Sequence, residues 1–177
     1  AADAVADATG ALATATAVVS WAVFQGASVT GTGNGLAEFT NDGTISVLAD
    51  AGAIATGGLA DANAGVAVGV RQVVNTPDGM ATATVANNGT LHIDAIANAS
   101  GVTSALANAF VANGLFQSAN AAIGTAEPEF TNTATTGVIT VDAIANATAT
   151  GVAVASAVVG GTAATAGVVA QLASGDL

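Results

Sequence analysis

From Ile45 onward the chain alternates. Ile45, Val47, Ala49, Ala51, Ala53 and Ala55 fall on one side, and Ser46, Leu48, Asp50, Gly52, Ile54 and Thr56 on the other. The same alternation sets Leu91, Ile93, Ala95, Ala97 and Ala99 against His92, Asp94, Ile96, Asn98 and Ser100. A two-residue period belongs to a strand with one face turned inward, whereas an amphipathic helix repeats every 3.6 residues. Ala alone favours helix, but the intervening Gly, Asn, Thr and Val do not, so the period decides for strands. Two more stretches keep it: Ala13, Ala15, Ala17, Val19, Trp21, Val23 and Ala60, Ala62, Ala64, Val66, Val68, Val70, all expected to face inward. Turn signals stand between them at Asn34-Gly35, Gly57-Gly58, Pro77-Asp78-Gly79 and Asn88-Gly89. Each unit is thus predicted to hold two strands of roughly 12 residues, about 40 Å long. The connectors 37–41, 80–87 and 127–132 are candidates for a third, short strand.

These units repeat. Phe39-Thr40-Asn41-Asp42-Gly43-Thr44-Ile45-Ser46-Val47 aligns with Val85-Ala86-Asn87-Asn88-Gly89-Thr90-Leu91-His92-Ile93. A third copy reads Phe130-Thr131-Asn132, a short insertion, then Gly137-Val138-Ile139-Thr140-Val141. Downstream, Asp94-Ala95-Ile96-Ala97-Asn98-Ala99 matches Asp142-Ala143-Ile144-Ala145-Asn146-Ala147, and Asp3-Ala4-Val5-Ala6-Asp7-Ala8 is the same segment again. Each copy later reaches a Gln, at 25, 72, 117 and 171, the last spacing being lengthened by an insertion near 158–165. One domain over 1–177 therefore holds nearly four copies of about 46–48 residues, approximately 1–36, 37–80, 81–128 and 129–177. Ends that fall inside a copy read as those of a fragment or of a polymerising unit.

One pair of strands cannot bury its own inner face, so successive copies must stack. The expected fold is all-β: an Ala-rich β-solenoid of long stacked strands, coils about 4.8 Å apart, around a thin core of small side chains. Opposing Ala-lined sheets should approach closer than the usual 10 Å or so. Whether one copy forms one flattened coil or two smaller ones is left open by the pattern.

Composition narrows the function. Aromatic residues are 3% of the chain, so the usual large core fillers are nearly absent and the core must be thin. With Lys+Arg 1 against Asp+Glu 12, no phosphate-binding surface can be built, and nucleic acid is excluded as a partner. Anionic membrane surfaces are disfavoured for the same reason, and no run of about 20 apolar residues offers membrane insertion. Cys is absent, which removes disulfides, thiolate catalysis and Cys-ligated zinc together. The start lacks the basic region of a signal peptide, as in a mature or excised piece.

The pattern Asn-x-Gly-Thr-Ile/Leu-x-Val/Ile followed by Ala-x-Ala-x-Ala resembles the repeats of secreted bacterial β-solenoid proteins, the autotransporter and filamentous-haemagglutinin-like adhesins. The resemblance covers nearly the whole chain. It implies export, an extracellular or cell-surface location, and adhesive or matrix roles. A weaker similarity links it to curli-type fibre subunits, whose repeats are about half as long and denser in Gln and Asn.

Chemistry is sparse. His92 is the only histidine and stands outward with Asp94, beside Ser46 and Thr140 of neighbouring copies, which reads as a stacked polar surface rather than a catalytic site. Asp3, Asp94 and Asp142 share one repeat position, with Leu48 in the remaining copy; stacked carboxylates repel or take up a cation, which makes these three the calcium candidates. Asp7, Asn98 and Asn146 form a second column, broken by Gly52. Gly31-Thr32-Gly33-Asn34-Gly35 is a turn, since no Lys completes a phosphate loop. Outward apolar residues, Val5, Ile96 and Ile144 in one column and Phe24 and Phe116 in another, are candidate assembly contacts, together with Leu172 and Leu177 near the end. No catalytic or cofactor-binding residue is expected.

The leading expectation is a non-enzymatic extracellular structural protein that stacks on itself head to tail, with lateral contact as a second mode, in a fibre, surface layer or biofilm matrix. The alternative is a ligand-binding stalk or passenger segment of a surface adhesin, with contacts at 75–79 or 124–129. A minor alternative is an ice-binding solenoid carried by Thr14-x-Thr16, Thr82-x-Thr84 and Thr148-x-Thr150.

Overall fold

The structure, a computed structural model, describes residues 1–133, 135–160 and 167–175. Among these residues the regular elements are all strands: β1 (Ala2–Gly10), β2 (Ala13–Ser28), β3 (Gly35–Asn41), β4 (Thr44–Ala55), β5 (Leu59–Thr76), β6 (Ala81–Asn87), β7 (Thr90–Gly101), β8 (Ser104–Ala121), β9 (Ala126–Asn132), β10 (Val138–Ala149), β11 (Val152–Val159) and β12 (Gly167–Gly175). They form three sheets, and every pairing within a sheet is parallel. Sheet A runs β1-β4-β7-β10, sheet B runs β2-β5-β8-β11 with β12 also on β8, and sheet C runs β3-β6-β9. The chain visits A, B and C in turn and then returns to A beside the strand it left.

Register follows the sequence alignment. Val47 pairs with Ile93 and Ile93 with Val141, so like residues sit on like. The connectors are strands of a sheet of their own, which places three strands, one per sheet, in each of the first three passages round the molecule. Between Val159, paired with Val111, and Gly167, paired with Asn113, lie the extra residues of the last copy.

The core between sheets A and B is a stack of alanines. Ala49, Ala51, Ala53, Ala95 and Ala97 of sheet A, with Ala60, Ala62 and Ala107 of sheet B, are fully buried. Small side chains at every inward place let two sheets close on each other without voids. Larger residues gather where sheet C joins: Ile93, Val66, Val70, Val111 and Leu115 are buried there, with Phe39, Val85 and Phe130 packing in from sheet C. A smaller cluster of Ala37, Val74, Ala81, Ala83, Ala119 and Ala121 joins the far half of sheet B to sheet C.

One inward assignment fails. Trp21 is 53% exposed, and Val68 at the matching place is only half-buried. The long strands of sheet B change partner sheet midway, and the alternation slips where they do. Gly69 is buried at this bend, and a Cβ there would strike the Ile93 side chain and come within 2.6 Å of the Gly114 carbonyl oxygen. A side chain two places along from an inward one therefore points outward here, which strict alternation cannot foresee.

At the C-terminal end β12 stacks on β8, with Leu172 beside Ser118. Leu177 lies outside the described residues.

Candidate functional site

The most ordered side-chain chemistry is a ladder of glutamines between sheets B and C. Gln25, Gln72, Gln117 and Gln171 are register partners. Gln72 Nε2 donates to Gln25 Oε1 at 2.8 Å, Gln117 Nε2 to Gln72 Oε1 at 2.9 Å, and Gln171 Nε2 to Gln117 Oε1 at 2.8 Å. The same amides donate across to sheet C: Gln25 to the Glu38 carbonyl, Gln72 to that of Thr84, Gln117 to those of Ala83 and Glu129, and Gln171 to that of Pro128. Buried amides this fully satisfied hold two sheets at a fixed spacing and register.

The polarity is uniform. Every rung donates toward the β1–β3 end, so Gln25 presents its amide donor there. Among the described residues nothing donates to Gln171 Oε1 at the opposite end. An asparagine ladder at the corner between sheets C and A runs the other way, Asn41 Nδ2 to Asn87 Oδ1 and Asn87 Nδ2 to Asn132 Oδ1, each at 2.7 Å.

Among the described residues β1, β2 and β3 pair on one side only, as do β9, β10, β11 and β12 at the other end. Ala4, Ala6 and Ala8 at one end and Ala143, Ala145 and Ala147 at the other are only partly buried, unlike their counterparts in between. No Lys guards these edges. The β9 edge alone carries an obstacle, Pro128 between Glu127 and Glu129.

The outward columns fall as the repeat alignment has them. In sheet A, Asp3, Leu48, Asp94 and Asp142 are stacked in that order. Leu48 separates Asp3 from the others, so the three calcium candidates do not converge. Asp94 and Asp142 are neighbours, and they are joined by His92, whose Nε2 lies 3.0 Å from Asp94 Oδ1. Burial raises the Asp94 pKa above its ordinary value; His92 opposes this, and the Asp142 carboxylate adds to it. Val5, Asp50, Ile96 and Ile144 form the next column, so Asp50 interrupts the apolar row and leaves only Ile96 and Ile144 adjacent.

In sheet B, Phe24, Arg71, Phe116 and Ala170 are stacked. The Arg71 guanidinium lies 5.6 Å from the Phe24 ring and 5.9 Å from those of Trp21 and Phe116. Sequence reasoning placed the two Phe residues correctly but missed Trp21, which completes this exposed cation–aromatic cluster once the bend turns it outward. Of the proposed ligand loops, 124–129 lies mostly in β9 and 75–79 partly in β5. The three Thr pairs lie apart, in β2, in β6 and at the end of β10 with Thr150 just past it, and build no common array. Comparison with protein-family models, with curated proteins and with solved structures finds no match.

Proposed function

We propose that this chain is a β-solenoid of nearly four three-strand turns, and that it serves as a non-enzymatic, self-stacking structural unit of an extracellular fibre, surface layer or biofilm matrix. The observation that carries this reading is the one-way glutamine ladder ending in a donor at one open edge and an acceptor at the other. Such ends are complementary to each other and not to themselves, so copies add head to tail with one polarity. Unpaired parallel edges over a bare alanine core supply the driving force, because each new copy buries apolar surface and pairs backbone groups that otherwise face water.

In this arrangement β1 of the next copy lies on β10 and its β2 on β11 and β12. Ala4 and Ala6 of the next copy then meet Ala143 and Ala145, and its Gln25 meets Gln171. Sheet C takes no part, consistent with Pro128 on the β9 edge. One contact is unfavourable: Asp3 of the next copy falls on Asp142. The exposed rows of sheets A and B would lie along the sides of the fibre, open to lateral contact.

Negative-stain electron microscopy of the purified chain at neutral pH, with and without calcium, tests the reading. Uniform unbranched filaments with a β spectrum are expected at low micromolar concentration; a chain that stays monomeric at high concentration sinks it.

The Trp21, Phe24, Arg71 and Phe116 cluster favours a second reading, a binding segment of a surface adhesin. That reading predicts dispersed short rods in the same images.

A further inference from the structure

We propose that His92, Asp94 and Asp142 form a binding site for a first-row divalent cation of the zinc type on the outer face of sheet A. His92 and Asp94 are two apart on β7 and so share a face. Asp142 on β10 is the register partner of Asp94. One ligand atom from each of the three side chains lies within 4.8 Å of the others. Zinc takes N and O ligands at roughly 2.0–2.2 Å, and Asp142, the exposed member, is the one with room to close on it.

Three features point to a cation from solution rather than to a surface ion pair. Two carboxylates stand side by side on adjacent strands, and the one Arg of the chain, Arg71, is engaged with aromatic rings on sheet B, so no Arg or Lys reaches them and His92 is the one basic side chain beside the pair. An imidazole nitrogen completes the set, and an N,O,O set on a rigid sheet suits zinc and its neighbours. Calcium wants six to eight oxygens, which this surface does not offer. Finally, the trio occurs once: turning from β7 to β4, the same positions hold Ser46 and Leu48. Leu48 on one side, with Ile96 and Ile144 beside it, gives the site an apolar rim, and water fills the remaining coordination positions.

All three ligands belong to one chain, and the test uses the full chain after treatment with a chelator. Calorimetric titration with Zn²⁺ at neutral pH is expected to show one equivalent bound, with a rise in melting temperature, and Co²⁺ is expected to give the absorption bands of a low-coordinate N,O site. Each of His92→Ala and Asp142→Asn should weaken Zn²⁺ binding by roughly tenfold or more, while Asp7→Asn, on the same sheet face, leaves it unchanged. Melting in chelator verifies that the variants fold. Zn²⁺ uptake undiminished in His92→Ala, uptake that does not saturate near one equivalent, or Ca²⁺ binding as tightly as Zn²⁺ would each overturn the assignment.

Discussion

Gln117 donates through Nε2 to Gln72 Oε1 at 2.9 Å, and neither residue has any exposed surface. A protein this poor in polar core residues places its two most buried polar side chains in contact, with backbone carbonyls of sheet C accepting on either side.

Breaking that contact should be costly. Gln117→Leu leaves Gln72 Oε1 without its donor and removes the side-chain bonds to two sheet C carbonyls, and a buried acceptor so stranded costs about 1–3 kcal/mol. A loss of about 2–4 kcal/mol in urea unfolding is expected, and clearly less for Gln25→Leu at the open end. Equal losses at both positions would mean that the ladder contributes as polar surface alone.

The alanine core leaves no room for growth. Ala97→Val, at a fully buried place, should destabilise by roughly 1–3 kcal/mol, because neighbouring alanines fix the spacing of the sheets. The same change at Ala6, half-buried at the open end, should cost little. Thermal melts of the two variants decide.

At the bend, Gly69→Ala should be among the most damaging single-methyl additions, since the new Cβ meets Ile93 and a backbone carbonyl together. Gly43→Ala meets open space and should stay within about 0.5 kcal/mol of the parent.

Self-stacking can be tuned from both sides. Ala145→Lys places a charge that reaches solvent over the open end of a free chain but is buried in a junction, so filaments should vanish while the melting temperature of the monomer holds. Asp3→Asn removes the like charge facing Asp142 and should lower the concentration at which filaments appear. Sedimentation measures both; filaments unaffected by Ala145→Lys would place the junction elsewhere.

Asp94 predicts a pH dependence. A carboxyl pKa raised in the folded chain, here by burial first, means that ionised Asp94 subtracts from stability at neutral pH, and that the deficit is relieved as pH falls through the raised value. In chelator, Asp142→Asn should therefore raise the melting temperature at neutral pH. That gain should fade as the pH approaches the ordinary value of 3.8. A gain constant with pH would assign the effect to something other than the Asp94 charge.

The sequence by itself determined the all-β class, the register of like residues and most of the inward face. These follow from local period and from self-similarity: parallel in-register stacking puts each residue on its counterpart, so an alignment of copies is already a list of neighbours. It also grouped the outward columns by repeat position, with Leu48 in the copy that lacks the Asp. What only the tertiary structure decided depends on how one passage of chain turns back on itself. The bend at Gly69 is set by Ile93 packing beneath it, and it turns Trp21 outward beside Arg71, against the alternation. The role of the glutamines was hidden for the same reason, since their acceptors lie on sheet C, 12 residues or more away along the chain. The convergence of His92, Asp94 and Asp142, with Asp3 left out, needed the order of strands in sheet A: a ligand set is made by which strands are neighbours, and period alone does not order them.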